Sequence, residues 1–526
     1  MCRSGRIGSL QRAPRLPRSV GDLELLFALL FAAVLLVRAA DYVRVPYPIV
    51  LVLAGLGISF IPGMPAIELD AHVVLLVFIP PLLLSAGWSS SPRELRAESR
   101  ALGFLALALV LVTTAVVALA AHELVAGLTW PAAFMLGAVV APTDAVAAVA
   151  TFASVRVPDR VKLLVQGESL INDATGLTAF RVALGAAGVE GFQAGTALGE
   201  FVLAAVGGTI VGVAVSWVML RLIRRQPDVT VSVFLTLAAA YVSYIAAEEL
   251  NASGILAAAV AGVYSGWHQS EFFDADTRLT ATSFWRIMVF GLEALLFILL
   301  GLQLDSVVEE VGDGSAGTLL ATGAVLAALV IAVRVVFALL PLAPGLSLRE
   351  RIVVGWCGMR GAISLAAALS IGETVDGRAE VIFLTFVVIL ITLVGQGLTL
   401  PALIKALRLT AEREWSPEEA IARLEAAQSA LDRLDELEDE QRVDEEPLRR
   451  LRDLYRARFR QCVAVIGGEK TPDVLAEQRM RFGEVRRDLI KAERAAVLGL
   501  RNEGKVSQEI QRLIERDLDL EEARLR

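Results

Sequence analysis

The sequence predicts an all-α polytopic membrane domain followed by a helical soluble tail, and three observations carry that prediction. Apolar runs of 17 to 25 residues recur from Gly21 to Leu407, each about long enough to cross a ~30 Å hydrocarbon core as a helix rising ~1.5 Å per residue. Of the 526 residues, 56 % are hydrophobic, and the mean hydropathy of +0.62 is too high for a soluble enzyme. From Thr410 to Arg526 the composition turns abruptly to Glu, Asp, Arg, Leu and Ala. The chain therefore divides into an Arg-rich leader over 1–20, a membrane domain over 21–407 and a tail over 410–526.

Cutting at charges and Gly/Pro clusters places thirteen spans, near 22–38, 46–60, 71–88, 101–121, 130–151, 161–185, 197–220, 229–247, 252–267, 284–304, 317–340, 350–371 and 380–404. Lys and Arg concentrate in alternate loops, among them Arg93, Arg96, Arg160, Lys162, Arg224, Arg278, Arg286 and Arg349, while the other loops carry acids such as Glu68, Asp70 and Asp313. That asymmetry makes the first set and the tail cytoplasmic and puts the N-terminus outside, in the plasma membrane of the cell. The leader, with Arg3, Arg6, Arg12, Arg15 and Arg18, pulls the other way. Within the spans, "IPP" at Ile79 to Pro81 signals a kink, and Gly207, Gly208 and Gly212 signal close helix packing.

The tail opens with Ser416 as a helix N-cap, Pro417 at the first helical position and Glu418 and Glu419 suited to the helix dipole. A second helix is expected from Glu445 to Val465, and a third starts at "TPD", Thr471 to Asp473, and ends at "NEG", Asn502 to Gly504. A small helical bundle or dimer contact fits this pattern, with binding of a regulator as the alternative. No Gly-rich phosphate loop or calcium loop identifies one. The net charge of −8 lies mostly in loops and tail, and nothing suggests nucleic acid as a partner. Cys2, Cys357 and Cys462, like His72, His122 and His268, are too scattered for a disulfide framework or a zinc site. No cofactor pattern is readable, and no Ser–His, Cys–His or metal-ligand constellation at the midplane suggests an enzyme.

Four spans carry charge at one depth. In "GESLINDATG", Asp173 lies about 16 Å into the membrane from Lys162 at 1.5 Å per residue; Asp144 of "APTDAVA" lies about 18 Å from Arg156 on that measure, and Arg360 of "GMRGAIS" about 16 Å from Arg349. Arg334 is at most about 22 Å from Arg349, with Pro341 and Pro344 shortening the path. A charge at the bilayer centre costs about 2.5–3.5 kcal/mol, so each needs a partner or water. Pairing alone would account for Glu168 with one arginine, but not for Asp144 and Asp173 as well. Pro142, Gly358 and Gly361 break the helices around these charges. Broken helices at membrane depth line cavities and hold ions, and spans five and twelve are antiparallel, as in an inverted repeat with two crossing discontinuous helices.

A hydrated midplane carboxylate holds a proton or a hard monovalent cation, but not both comfortably, which suffices for antiport if the site faces one side at a time. Thr143 and Ser169 offer further oxygens for a cation shell, and Asn172 a neutral polar group beside the acid.

Together, "GESLINDATG", "APTDAVA" and "GMRGAISLA" resemble, in order and across the whole membrane domain, the monovalent cation:proton antiporter family of the NhaP and sodium/proton exchanger type. The resemblance implies a thirteen-span inverted repeat, a homodimer, and a core that moves like an elevator against a dimerisation domain. It implies that Asp173 binds ion and proton, with Asn172 its paired asparagine, Asp144 and Thr143 the contribution of the unwound helix, and Ser169 a further oxygen ligand. Glu168 becomes a structural acid bridged to an arginine, Arg334 as first choice and Arg360 as second. Glu293, in "GLEALLFILLG", looks like another acid of relatives, and Ser85 stands where many of them place an acid after the Pro-Pro kink. The Asn–Asp pair resembles members that exchange one cation for one proton. The expected cargo is Na+, possible substitutes being Li+ or K+; a potassium/proton exchanger, an organic-solute symporter and a channel are the alternatives.

Overall fold

The structure, a computed structural model, describes the chain except residues 1–19, 44, 62–72, 156, 189–193, 227, 312, 341–345, 410–416, 441–444, 467–472, 504, 506–507 and 524–526. The described residues are all-helical, and the chain forms two compact units, Met1–Ala411 and Glu412–Arg526. The Arg-rich leader and Ser416 lie outside the described residues.

In the first unit, α1 (Val20–Val43) and α2 (Tyr47–Ser59) are followed by a π-helical turn, Val74–Phe78, that leads into α3 (Ile79–Trp88). That wide turn sits immediately before Pro80 and Pro81, whose missing amide hydrogens disrupt regular α-helical pairing there. Then come α4 (Ser99–Leu124), α5 (Trp130–Val140), α6 (Ala145–Ser154), α7 (Asp159–Gly188), α8 (Ala194–Arg224), α9 (Val229–Glu249) and α10 (Gly254–Phe272). The unit closes with α11 (Ala275–Leu302), α12 (Asp313–Leu339), α13 (Leu348–Trp356), α14 (Ala362–Leu369) and α15 (Arg378–Ala406). Seven described helices are long and apolar enough to cross a membrane, counting α5 and α6 as one, and α1, α2 and the segment ending in α3 are shorter apolar helices.

Small residues set the spacing, because apolar lipid gives helices no hydrophobic reason to associate and close van der Waals contact has to do so. A Cβ on Gly262 of α10 would strike the backbone of Leu84 in α3, and one on Gly301 of α11 would strike that of Val52 in α2. The glycines expected to pack closely on α8 do so: Gly208 and Gly212 lie against the backbone of Ser253 and Ala257. One boundary differs from expectation. Helix α11 starts at Ala275 rather than near 284, so Arg278 and Arg286 sit on a helix instead of in a loop. Asp274 fixes that start by accepting the Thr277 amide at 2.8 Å, and long arginine side chains can carry their charge toward a helix end.

The second unit contains α16 (Pro417–Asp439), α17 (Glu445–Ile466), α18 (Asp473–Asn502) and α19 (Gln508–Ala523), with α16 packed on α17 and α18 on α19. Arg452 bridges Asp435 at 2.7 Å within the first hairpin, and Arg494 bridges Asp519 at 2.5 Å within the second. The fourth helix was not anticipated. Leu518 is buried in it, and the arginines of α18 neutralise Asp519, Glu521 and Glu522.

Candidate functional site

Two helix breaks cross at the centre of the site. Helix α5 ends at Val140, Pro142 supplies no amide hydrogen, and Asp144 starts α6 by accepting the Val146 amide on Oδ1 at 2.8 Å. The second break separates α13, started by a Ser347/Glu350 capping box, from α14, and runs over Cys357 to Gly361. The breaks are joined by one backbone hydrogen bond, from the Asp144 amide to the Met359 carbonyl at 2.8 Å. Gly361 is required by that approach, since a Cβ there would run into the Asp144 carboxylate.

Arg360 holds the crossing together. Its Nε donates to the Val140 carbonyl at 2.7 Å and Nη2 to Ala141 at 3.3 Å, while Nη1 donates to Gly358. Its backbone amide donates at 3.2 Å to Thr392 Oγ1, in a π-helical turn of α15. A cation thus meets the carbonyl end of α5, where the helix dipole is negative, and a carboxylate meets the amide end of α6. Arg360 was the second choice to pair with Glu168; here its guanidinium donates to carbonyls instead, because the α5 end lies directly in front of it.

Helix α7 contributes Glu168, Ser169, Asn172 and Asp173, whose i, i+4 spacing puts Glu168 above Asn172 and Ser169 above Asp173. Glu168 and Arg334 form a two-pronged ion pair, Nη1 to Oε1 and Nη2 to Oε2 at 2.9 Å, with each side chain 1 % exposed. Thr143, in the α5–α6 break, donates to Glu168 Oε1 at 3.2 Å and accepts from Asn172 Nδ2 at 2.8 Å. These bonds tie the break to α7. The Oδ1 of Asn172 is buried without a hydrogen-bond partner. Gly176, one turn further on, lies so close to the Pro142 ring that a Cβ would overlap it.

A cavity of about 80 Å³ opens on the other side of this network, and Thr143, Asp144, Ser169, Asp173 and Glu293 all line it. Asp173 is 7 % exposed, and no described residue hydrogen-bonds its carboxylate. Ser169 Oγ accepts the Ala145 amide at 3.4 Å. No Lys, Arg or His lines the cavity, which leaves three carboxylates and the hydroxyls of Thr143, Ser169 and Ser364, an oxygen set suited to a hard cation. Volume and polarity both allow water inside. Ser85 is not brought in. Its neighbours Leu82, Leu83 and Ala86 line the cavity, and Ser85 lies about 60° of helix rotation beyond the edge of that arc.

Tyr47 joins the site without a signal in the sequence. Its hydroxyl donates to Glu293 Oε2 at 2.6 Å across 246 residues. A tyrosine at the start of an apolar helix reads as an ordinary membrane-interface residue, and no local signal links it to position 293.

Residues 26–406 match the family model for the transmembrane sodium/hydrogen exchanger. The chain is 32 % identical to an uncharacterised sodium/proton exchanger of Mycobacterium tuberculosis, over 97 % of this chain and 98 % of that one. It is 31 % identical to a sodium/proton antiporter of Aphanothece halophytica, over 74 % of this chain and 75 % of that one. A sodium, potassium, lithium and rubidium/proton antiporter of Bacillus subtilis is 31 % identical, over 68 % and 58 %. Its fold is similar to that of the sodium proton antiporter MjNhaP1 from Methanocaldococcus jannaschii, with a TM-score of 0.62, 20 % identity, and coverage of 74 % of this chain and 99 % of that one.

Proposed function

The chain belongs to the sodium/hydrogen exchanger family, and from that premise we propose that it exchanges Na+ for H+ by alternating access, with cation and proton competing at Asp173. The observation that carries this reading is the bare Asp173 carboxylate, buried in a largely apolar cavity that holds two further carboxylates and no basic side chain. A buried carboxylate without a partner is costly, and either a proton or a cation removes that cost. The two ligands therefore exclude one another. Binding of both in turn becomes coupled transport when the protein changes the side that the cavity faces only with one of them aboard.

In this reading Asp144, Thr143 and Ser169 complete the cation's surroundings, Asn172 holds the α5–α6 break against α7, and the Glu168–Arg334 pair keeps a neutral, rigid anchor behind the site. The membrane domain crosses thirteen times as an inverted repeat, the two breaks being its symmetric centres; the N-terminus is outside, the tail is cytoplasmic, and the protein works as a homodimer in the plasma membrane. The arginine-rich alternate loops support the orientation. The name of the Bacillus relative includes potassium, lithium and rubidium, so the choice of cation is part of the test.

The test is cation-induced proton flux in proteoliposomes with Na+, Li+ and K+, for the native chain and Asp173→Asn. Saturable flux with one cation, lost in the variant, supports the exchanger and identifies its cation. Flux that persists in folded Asp173→Asn removes Asp173 from the transport step, and current without proton coupling points to a channel instead.

A further inference from the structure

Resting on the antiport reading above, we propose that Glu293 is a specificity-determining ligand of the transported cation and that Tyr47 is the residue that positions it. The cavity offers a cation fewer free oxygens than its lining suggests. Thr143 Oγ1, Ser169 Oγ and Asp144 Oδ1 each already accept one hydrogen bond, from Asn172, the Ala145 amide and the Val146 amide, and so reach a cation with a single lone pair apiece. Asp173, the second oxygen of Asp144 and the Ser364 hydroxyl are the lining oxygens that no described residue engages, a small set for a hard ion, which favours several oxygen ligands.

Glu293 supplies what is missing. It lines the same cavity from α11 as Asp144 does from the crossing. One oxygen, Oε2, takes the Tyr47 hydroxyl at 2.6 Å, and no described residue hydrogen-bonds the other. Among the described residues no basic side chain pairs with it: Arg334 is taken by Glu168 and Arg360 by the carbonyls of Val140, Ala141 and Gly358. A membrane-depth carboxylate with no protein counter-charge calls for an ion or a proton of its own.

Holding α2 to α11 would not require this pair. Those helices already meet backbone to backbone, where a Cβ on Gly55 would strike the Ile298 carbonyl and one on Gly301 that of Val52. The tyrosine instead removes rotational freedom from the glutamate. Because Tyr47 and Glu293 come from α2 and α11, while Asp144 and Asp173 come from the crossing and α7, the cation is gripped between separate helices, and the distance between them selects its radius.

The experiment measures initial rates of cation-dependent proton flux in proteoliposomes over a range of Na+, Li+ and K+ concentrations, for the native chain, Glu293→Gln, Tyr47→Phe and Asp173→Asn. Glu293→Gln is expected to raise the apparent KM for the preferred cation about tenfold, the effect of losing one useful ligand, with the maximal rate within about threefold and the order of preference among the three ions altered. Tyr47→Phe is expected to raise the same KM about threefold. A merely structural pair would lower thermal stability and leave KM and preference unchanged, and that result overturns the proposal. If Glu293→Gln does not reach the membrane folded, Tyr47→Phe decides, and a native KM in that variant overturns the proposal equally. Asp173→Asn separates the two readings: its silence with a native-like Glu293→Gln discards only Glu293, whereas its activity discards the antiport site itself.

Discussion

At the scale of single residues, the buried pair Glu168–Arg334 is the most expensive contact to interrupt. Both side chains are 1 % exposed, so removing one partner leaves an uncompensated charge away from water. Arg334→Ala is expected to destabilise the membrane unit by about 3–5 kcal/mol, and the double variant Glu168→Ala/Arg334→Ala to recover a large part of that loss. Denaturant or thermal unfolding in detergent measures both. Gly361 shows a different kind of dependence. Gly361→Ala sets a methyl group against the Asp144 carboxylate, and overpacking of this kind costs about 1–3 kcal/mol. Flux is expected to fall by at least tenfold, since the displaced group is a cavity carboxylate; native flux would show that the crossing relaxes freely.

At the scale of elements, the half-helices matter through their ends. Asp144 both caps α6 and presents charge to the cavity, and these two duties can be separated. Asparagine caps a helix about as well as aspartate, so Asp144→Asn is expected to stay within about 1 kcal/mol of native stability while losing cation-coupled flux by tenfold or more. Unfolding and flux on the same preparation check this. Arg360→Met removes the bonds to Val140 and Ala141 and exposes the α5 carbonyl end to an apolar neighbour. A hydrogen bond to a charged group is worth about 1.5–3 kcal/mol, so a loss of at least about 2 kcal/mol is expected from unfolding measurements.

At the scale of the whole molecule, the division at Ala411 separates an apolar unit from a charged helical one. The site is built entirely from the first unit. A chain ending at Ala411 is therefore expected to insert, to elute as a single species from a sizing column and to retain cation-dependent proton flux, with any change confined to its regulation. Loss of insertion would show that the tail is needed for assembly. The ion pair of Arg181 with Glu248 links α7 to the C-terminal end of α9, where Glu248 also accepts the Gly254 amide, at the start of α10, at 3.1 Å. Because both side chains are substantially exposed, the Arg181 pair itself adds only about 0–1 kcal/mol.

The sequence by itself determined that the chain is a helical membrane domain with a charged helical tail, because hydropathy and span length are properties of the covalent chain and do not wait for packing. It also gives the expected depth of Asp144, Asp173 and Arg360, since 1.5 Å per residue converts position into distance along a helix. Proline and glycine marked both breaks, because their effects on the backbone are local. Only the tertiary structure decided who meets whom. Arg334 rather than Arg360 reaches Glu168 because the end of α5 claims Arg360; Ser85 misses the cavity by a fraction of a helical turn; and Tyr47 meets Glu293 across most of the membrane domain's length. Rotation about a helix axis and contact between distant segments are set by packing many side chains together, and no stretch of sequence encodes them alone.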